Sequence, residues 1–520
     1  MQKHYEDNSL PELFRQAARA YANKVAIRHA DHEVKFHTLD ALSDRVAASL
    51  AHMQVGKGAR VGLYGINSDA FIIAYLGIIK CGATVVPVNV LMNPKEIAWI
   101  LDDAGVEVLL YDGLFAAAVD ALAGELPELR KTVQIAGSHT AAEGHDWAAM
   151  MENSLPVPAP VFDTATDVAA ILYTSGTTGK PKGAMLTHRN LAANTASVFR
   201  AMQLQPGKDT FLVVLPLFHS FAATAGMLTP LLYGAAIAPL PRFEPAGVAD
   251  TIAAVRATIF LGVPSMYTVL LRLPDDAADK LASLRFCVSG GASMPVDVLR
   301  QFEEKFGKKI YEGDGPTECS PVTCVNPIDG ERRIGSVGLP VPGVEMSIRD
   351  EQMNELPDNE IGEICCRGDS MMKGYWNQPE ETAQAFHGDW FNTGDLGYRD
   401  DDGYFYIVDR KKDLVIVNGM NVYPRVIEEV LYQHPSIREA AVVGEPDRLH
   451  GEIAVAYLSI KDDMAVDADT IRQHCADQLG RHEIPKKFFF LEELPKNAAG
   501  KILKRELRIQ GELERGIDPR

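Results

Sequence analysis

Hydrophobic and polar positions alternate along the chain in a pattern of short buried strands and helices. Residues 60–65 and 84–88 are apolar runs typical of buried strands, and the nearly uniformly apolar residues 70–79 predict a buried helix between them. At 93–96, Asn-Pro-Lys-Glu combines a capping residue, a first-turn proline and an acid at the third helical position, which predicts a helix start. With the strand-like residues 106–110, this alternation predicts a mainly parallel sheet covered by helices.

The alternation continues after a stretch with little pattern. Residues 115–165 are rich in alanine, acids and prolines, and we interpret them as connection and surface. Strand-like runs return at 167–173, 211–216, 257–264 and 285–291. Because ligands in open α/β sheets bind beyond the carboxyl ends of strands, we expect these strand ends to converge on one pocket.

The pattern changes twice in the last third of the chain. Between residues 334 and 410 helical periodicity nearly vanishes, and recurring glycines, prolines and short β runs predict a β subdomain. A charge run at 409–413 then precedes a smaller α+β pattern, which suits a linker between domains. We therefore expect a large N-terminal domain over 1–410 and a small mobile C-terminal domain over 411–520. The elements expected in the small domain are helices at 426–433 and 469–479 and strands at 440–444, 452–460 and 487–491.

Length and charge narrow the function. The 520 residues exceed what one hydrophobic core usually supports, and 47% hydrophobic with 23% charged residues is a globular balance. A net charge of −19 argues against nucleic-acid binding and against simple electrostatic docking on anionic lipid. Small molecules are the expected partners. Polyanions such as ATP or CoA would require the lysines and arginines to be concentrated at the site.

Cysteines and apolar stretches predict the compartment. The seven cysteines are scattered without paired Cys-x-x-Cys spacing, which favours reduced cytosolic thiols and indicates no zinc site. The polar, acidic N-terminus is unlike a signal peptide. Residues 210–241 are about thirty residues without formal charge, long enough to span a bilayer, but their prolines and glycines favour a buried strand-loop-helix-strand unit. We expect a cytoplasmic protein without a transmembrane segment; peripheral membrane association and a homodimer stay open.

The stretch with the most evident chemistry is 173–183, Tyr-Thr-Ser-Gly-Thr-Thr-Gly-Lys-Pro-Lys-Gly. Its glycines, hydroxyls and lysines suit a phosphate cradle. It follows a buried strand and precedes a helical pattern starting at Thr187, where nucleotide loops usually lie. A Walker A motif fails twice, because Thr174 replaces its first glycine and Pro181 follows Lys180. A plain surface loop is the alternative.

Four further motifs accompany this loop, at residues 311–318, 390–397, 404–413 and 495–501. In this order and spacing the five motifs resemble the adenylate-forming superfamily, and acyl-CoA synthetases of the fatty-acid–CoA ligase type in particular, over nearly the whole chain. The resemblance implies a two-step reaction: a carboxylate attacks the α-phosphorus of ATP to give acyl-AMP and pyrophosphate, and the thiol of CoA then displaces AMP. The protein would mainly position groups and stabilise charge.

The resemblance also implies the nucleotide site. Glu318 would hold Mg²⁺, a cation that prefers oxygen ligands. Asp395 would accept hydrogen bonds from the ribose hydroxyls, and Lys501 would bridge the carboxylate and the α-phosphate. Taken singly these residues have plainer interpretations, such as a turn for Asp395 or a solvated lysine for Lys501. The implied ATP-binding residues are Thr174, Ser175, Gly176, Thr177, Thr178, Gly179, Lys180, Gly290, Gly291, Ala292, Asp314, Gly315, Thr317, Asp395, Arg410 and Lys501. The catalytic candidates are Thr174, His219, Glu318 and Lys501.

The acyl and CoA sites follow in the same way. In the resembled family a rotation of the small domain precedes thioester formation; Lys412 occupies the hinge position, and Gly419 lies in the loop that lines the pantetheine tunnel. Amino-acid-activating relatives carry an aspartate where this chain has His219, which argues against an amino-acid substrate, although a lone histidine is often a core residue. The implied acyl-pocket residues are Phe218, His219, Phe221, Gly262, Val263 and Tyr267.

Asp314 departs from the family pattern. Fatty-acyl ligases usually carry an aromatic residue there that stacks on adenine; an aspartate cannot stack, but it can accept a hydrogen bond from the adenine amino group.

The expected function is ATP-dependent ligation of a medium- to long-chain fatty acid to CoA. Alternatives are an aryl-CoA ligase, acyl transfer from acyl-AMP to a carrier protein, and, from another class, a phosphotransferase releasing ADP. A catalytically inactive binding module is disfavoured because Glu318, Asp395, Arg410 and Lys501 are all present.

Overall fold

The computed structural model of the chain describes residues 8–135, 145–174, 181–461, 464–496 and 502–514. Its helices, in chain order, are α1 (Leu10–Ala20), α2 (Phe36–His52), α3 (Asp69–Lys80), α4 (Pro94–Asp103), α5 (Ala116–Ala123), α6 (His145–Glu152), α7 (His188–Ala201), α8 (Thr229–Leu232), α9 (Pro245–Val255), α10 (Pro264–Leu270), α11 (Ala277–Lys280), α12 (Val296–Phe306), α13 (Pro379–Ala385), α14 (Pro424–Tyr432), α15 (Ala468–Ala476) and α16 (Lys504–Glu514). Short 3₁₀ turns lie at Gly113–Phe115 and Thr317–Cys319, and a π-helical segment at Ala222–Leu228.

The strands, in chain order, are β1 (Val25–Arg28), β2 (Glu33–Lys35), β3 (Arg60–Tyr64), β4 (Thr84–Pro87), β5 (Val108–Asp112), β6 (Lys131–Ile135), β7 (Val168–Thr174), β8 (Lys182–Thr187), β9 (Thr210–Val213), β10 (Ala236–Pro239), β11 (Ile259–Gly262), β12 (Phe286–Ser289), β13 (Ile310–Asp314), β14 (Cys324–Val325), β15 (Leu339–Pro340), β16 (Val344–Arg349), β17 (Gly362–Gly368), β18 (Gly374–Tyr375), β19 (Phe386–His387), β20 (Trp390–Arg399), β21 (Phe405–Arg410), β22 (Val415–Val417), β23 (Met420–Val422), β24 (Ile437–Asp447), β25 (Gly451–Ile460) and β26 (Lys487–Phe490).

Within these ranges the strands form four sheets. Two are mainly parallel, with strand orders β18-β8-β7-β4-β3-β5-β6 and β15-β14-β13-β12-β11-β9-β10-β1-β2. A third, antiparallel sheet has the order β16-β17-β20-β19, with β21 beside β20. The fourth, in the C-terminal part, has the order β23-β22-β25-β24, with β26 beside β25. The predicted α/β class, with a β subdomain and a smaller α+β unit, is confirmed.

Helix α3 shows how the apolar pattern becomes the core. Every residue of it after Asp69 is buried, as the uniform hydrophobicity of 70–79 predicts. It packs on α2, and a Cβ at Gly77 would come within 2.5 Å of Val46, so only glycine permits this close approach. Helix α4 begins as predicted, with Asn93 and Glu96 forming a capping box.

Two expectations about organisation are corrected. Residues 115–165 are not only connection: they contain α5, α6 and β6, and β6 pairs in parallel with β5 at the edge of a sheet. Their alanine-rich composition concealed an edge strand whose burial is only partial. The glycine-rich stretch is also shorter than expected, since β8 starts at Lys182.

The uncharged residues 210–241 fold as predicted into a strand, a helical segment and a second strand, namely β9, the π-helical segment with α8, and β10. Across the described ranges, we find no helix with the length and apolar character needed to cross a membrane. All seven cysteines lie in described positions, and each is buried with a free thiol.

Candidate active site

The glycine-rich loop connects two antiparallel strands. Strand β7 ends at Thr174 and β8 begins at Lys182, and these two residues pair across the hairpin. The hydroxyl of Thr174 lies 3.5 Å from the carbonyl oxygen of Lys182. The helix predicted after the loop is α7, with Thr187 as its N-cap. The predicted site residues Ser175, Gly176, Thr177, Thr178, Gly179 and Lys180 lie outside the described residues.

Lys182, at the base of this loop, is a residue that the sequence reasoning did not assign. Its side chain is only 13% exposed and forms an ion pair with Glu381. The ammonium nitrogen also lies 5.3 Å from the centre of the Tyr375 ring, within cation–π range. The ion pair with Glu381 therefore fixes this ammonium group at the base of the glycine-rich loop.

Glu318 receives a hydrogen bond from Tyr375. The Tyr375 hydroxyl donates to Oε1 of Glu318 at 2.8 Å. Burial, and then the charge of Glu318, raise the pKa of Tyr375, so the phenol stays protonated and remains a donor. Strand β18 brings Tyr375 here by pairing with β8. The sequence reasoning missed Tyr375, because its role depends on this pairing between distant strands.

Thr317 joins the nucleotide motif to the predicted acyl segment. Its hydroxyl lies 2.9 Å from the hydroxyl of buried Ser220. Ser220 follows His219, whose Nδ1 accepts from the backbone N–H of Phe221 at 3.4 Å. The segment before His219 is held by Asn67, whose amide donates to the carbonyls of residues 213 and 215 and accepts from the backbone N–H of residue 217. Thr317 and the 218–221 segment therefore lie in one site.

The ends of β11 and β12 meet the same segment. A Cβ at Gly290 would lie 3.3 Å from the Phe221 ring, and one at Gly291 would lie 3.8 Å from Val263. The absence of side chains at Gly290 and Gly291 lets Phe221 and Val263 approach these strand ends. The ends of β11 and β12 and the segment after β9 thus converge as expected, with Gly262 paired to Ser289 and Ala292 following Gly291.

Tyr267 occupies a more interior position. It is fully buried, its hydroxyl donates to the carbonyl of Val288 at 2.8 Å, and its ring packs edge-on against Phe260 and Phe302. These contacts favour a packing role behind the strand ends. Phe218, in contrast, is partly exposed, as are His219 and Phe221.

Asp395 and Arg410 face each other across β20 and β21. Arg410 Nε lies 2.9 Å from Asp395 Oδ1, and the Asp395 side chain is only 4% exposed. Asp395, and to a smaller extent Asp314 and Glu318, raise the pKa of Arg410. Because these acids act on one guanidinium, the ends of β13 and β21 lie on the same side of the molecule.

Strand β13 carries two carboxyl groups into this region. Asp314 ends the strand, and its carbonyl accepts from the N–H and hydroxyl of Thr323. The next residue, Gly315, passes so close to the backbone of Pro321 that a Cβ would overlap the carbonyl oxygen at 1.7 Å. The turn that presents Thr317 and Glu318 therefore needs glycine.

Glu312 is the second carboxyl and was missed from sequence. It is 3% exposed, and Oε1 accepts from the backbone N–H of Met294 at 3.0 Å. Oε2 is buried and makes no hydrogen bond within the described residues. Burial raises the pKa of Glu312 to about 7. Its position two residues before Asp314 was the available signal.

The predicted residues of the small domain are described in part. Burial, and then Arg410, lower the pKa of Lys412. Gly419 lies in the two-residue turn between β22 and β23 with φ of +79°, and no heavy atom lies within 4 Å of a Cβ placed there. Lys501 lies outside the described residues.

The tyrosine-held carboxylate of Glu318 and the facing Asp395–Arg410 pair, on a two-part α/β chain, agree with the resemblance to adenylate-forming enzymes. The AMP-binding enzyme family model matches residues 14–376, and the AMP-binding enzyme C-terminal domain model matches residues 426–501. The chain therefore belongs to the AMP-binding enzyme family, in which it is an acyl-CoA synthetase using ATP and CoA.

Similar proteins cover nearly the whole chain. A long-chain-fatty-acid–CoA ligase of Bacillus subtilis is 36% identical over 96% of this chain and 94% of that protein. A sulfoacetate–CoA ligase of Cupriavidus necator is also 36% identical, over 92% of each. The ATP-bound crystal structure of MatB from Rhodopseudomonas palustris aligns with a TM-score of 0.89 and 32% identity, over 97% of this chain and 99% of that one. The apo structure of MatB aligns with a TM-score of 0.77.

Proposed function

We propose that the protein ligates a medium- to long-chain fatty acid to CoA through an acyl-adenylate, with release of AMP and pyrophosphate. The observation that supports this most is the continuity of the site. The Thr317–Ser220 hydrogen bond links the nucleotide motif to the partly exposed aromatic residues Phe218 and Phe221. An acid bound against Phe221 and Val263 would place its carboxylate near Thr317.

Mg²⁺ would be held by Glu318. The Tyr375 hydrogen bond fixes one carboxylate oxygen, and a carboxylate has further lone pairs for a hard cation. The donor set therefore fits magnesium. When bound, the cation would neutralise phosphate charge; the contribution of this chain is to orient Glu318 and to bring Lys182 and Arg410 to the same region.

The apolar wall supports an aliphatic acid. Phe218, Phe221 and Val263 supply hydrophobic surface, and the glycines at 290 and 291 let Phe221 and Val263 approach the strand ends. The sulfoacetate–CoA ligase has the same 36% identity as the fatty-acid ligase, over a shorter match, which keeps a short anionic acid as the second candidate. An aryl acid or acyl transfer to a carrier protein would use the same first half-reaction.

The proposal is tested by carboxylate-dependent ATP–pyrophosphate exchange. The panel contains fatty acids of graded chain length, benzoate, sulfoacetate and an amino acid, each assayed alone and then with CoA while AMP and ADP are separated. We expect exchange to be highest with a medium- or long-chain acid and AMP to appear with CoA. Highest exchange with sulfoacetate or benzoate would identify that acid, and not a fatty acid, as the substrate. ADP as product would indicate a phosphotransferase.

Asp314 tests how adenine is held. We expect Asp314→Tyr to lower the KM for ATP about tenfold, because base–aromatic stacking contributes roughly 1–3 kcal/mol. Initial rates of exchange over a range of ATP concentrations provide the measurement, with the exposed-turn variant Asp401→Tyr as control. An unchanged KM would contradict a missing stacking contact.

A cytoplasmic location is proposed from the free, buried state of all seven cysteines. The net charge of −19 supports small-molecule partners rather than nucleic acid. A homodimer is compatible with this proposal and is tested by light scattering.

A further inference from the structure

A histidine–aspartate cluster lies in the N-terminal part of the chain, outside the residues assigned to ligation. It is formed by His29 and His32, in the turn between β1 and β2, and by Asp69, the first residue of α3. The backbone N–H of His29 donates to the carbonyl of His32, which closes the turn and places both imidazoles on one side. Elements distant in sequence therefore present three side chains to one point.

The ligand atoms have the spacing that a small cation requires. His29 Nε2 lies 3.5 Å from Asp69 Oδ1, and His32 Nε2 lies 3.2 Å from Asp69 Oδ2. One ligand atom from each residue falls within 4.8 Å of the others. Donors bound to one zinc ion at about 2.1 Å lie about 3.4 Å apart, so little movement is needed. The two rings are stacked, with centroids 4.2 Å apart, and the Nε2 atoms of both face the Asp69 carboxylate.

Asp31 provides the outer contact typical of a metal-binding histidine. Its Oδ1 lies 2.9 Å from His32 Nδ1, the nitrogen opposite the one that faces Asp69. A carboxylate on Nδ1 fixes the tautomer and directs the Nε2 lone pair to the metal. Burial is graded as well: His29 is 8% exposed, Asp69 14% and His32 37%, which leaves one side open for water.

We propose that His29, His32 and Asp69 bind one Zn²⁺ ion, with water completing a four-coordinate site. Two imidazoles and a carboxylate suit zinc, whereas Mg²⁺ prefers oxygen ligands alone. The cysteine spacing gave no sign of this site, because its ligands are a short-range histidine pair and an aspartate from another element.

The ion would fasten the β1–β2 turn to the start of α3. Two residues before Asp69, Asn67 holds the backbone of residues 213–217, which leads into His219 and Phe221. Zinc binding would therefore protect both the turn and this backbone from local opening. The site is independent of the proposed acid substrate, since none of its ligands belongs to the ligation site.

Isothermal titration of the purified, metal-free full-length protein with Zn²⁺ tests the proposal. We expect one equivalent to bind to the wild type, at least tenfold weaker binding in His29→Ala, His32→Ala and Asp69→Asn, and unchanged binding in His52→Ala, an exposed histidine at the end of α2. Mg²⁺ should not compete. Zinc should also slow amide exchange at residues 28–33 and 67–70 in the wild type and not in His32→Ala.

Circular dichroism and ATP–pyrophosphate exchange activity, both measured without zinc, establish that each variant is folded. His32→Ala is the most informative variant, because this partly exposed side chain can be removed with little loss of packing. Absence of zinc binding to the wild type would overturn the proposal and leave the cluster as a proton-bridged ion pair. Equally tight binding to all three variants would also overturn it, by placing the zinc elsewhere.

Discussion

Tyr375 contributes a single hydroxyl to the site, and its removal tests the magnesium assignment. We expect Tyr375→Phe to lower the exchange rate about tenfold at limiting Mg²⁺, because a hydrogen bond to a charged group contributes roughly 1.5–3 kcal/mol. The loss should shrink as Mg²⁺ rises, since the cation itself orients Glu318. Exchange measured across a Mg²⁺ series gives the result.

Tyr404→Phe is the matched control, because it removes a hydroxyl that donates to the carbonyl of Glu331 instead. Its exchange rate should stay near the wild-type value at every Mg²⁺ concentration. Similar losses in both variants would contradict a specific role for Tyr375.

Glu312 gives a prediction for stability against pH. Its folded pKa of about 7 is above the ordinary value of 4.5, so the folded state binds more protons than the unfolded state between these two values. The contribution of Glu312 to the free energy of unfolding therefore falls as pH rises from about 4.5 to about 7 and does not change further above that range. The maximum cost is about 3 kcal/mol.

Glu312→Gln removes this dependence while keeping an acceptor for the Met294 N–H. The thermal midpoint of the variant minus that of the wild type should be larger at pH 8 than at pH 5. Differential scanning calorimetry at both pH values measures the difference. A constant offset between the two proteins at both pH values would show that Glu312 does not titrate in this range.

The residue scale is also where sequence alone reached least far. Motif spacing selected Glu318, Asp395 and Arg410, and the structure brings the latter two into an ion pair. Tyr375 and Ser220 act through partners 57 and 97 residues away, so no local pattern could reveal them. Asp314 stands where the sequence comparison expects an aromatic ring, and no local pattern explains this departure.

At the scale of elements, the hairpin of β22 and β23 tests the CoA site. Asn418 and Gly419 form its turn, both with positive φ, which suits a type I′ turn. We expect Gly419→Leu to slow thioester formation from supplied acyl-AMP at least about tenfold, because a side chain there would fill the path of the thiol arm, while adenylation is largely kept.

Gly388→Leu controls for backbone strain. Gly388 also has positive φ, lies in the turn between β19 and β20, and has open space around its Cβ position. Both half-reactions should stay near wild type in this variant. Loss of both half-reactions in Gly419→Leu, measured by separate exchange and thioester assays, would argue against a specific role in the CoA path.

Element existence was more predictable than element partners. The buried helix α3, the capped start of α4 and the small-domain helices follow from periodicity and capping residues. Strand β6 was missed because it is short, only partly buried and set in an alanine-rich stretch that resembles a surface segment. The antiparallel return of β8 was missed because lysine and glycine begin it, and these residues also favour loops.

At the scale of the whole molecule, the two domains are expected to alternate. This chain aligns better with ATP-bound than with apo MatB, at TM-scores of 0.89 and 0.77, which favours an arrangement close to that of the ATP-bound form. The boundary at residues 410 and 411 stays a prediction; β21 ends at Arg410, and the sheet of the small domain begins at Val415.

The variant Lys501→Ala tests whether the two domains alternate. If Lys501 acts only in the adenylating arrangement, its loss should lower exchange at least about a hundredfold, since a charge aimed at the transition state is removed. Thioester formation from supplied acyl-AMP should be largely kept. The exposed lysine variant Lys461→Ala should alter neither half-reaction. Equal loss of both half-reactions in Lys501→Ala would contradict alternation.

The burial of every cysteine determines how the second half-reaction can be followed. Disulfide reagents react with thiolates, and burial raises the pKa of Cys81 and Cys365 to about 12 and that of Cys475 to about 11. With all seven thiols enclosed, a colorimetric thiol count on the native sample reports only CoA. The amount of CoA consumed in a single turnover can therefore be measured directly, even when the enzyme is as concentrated as the substrate.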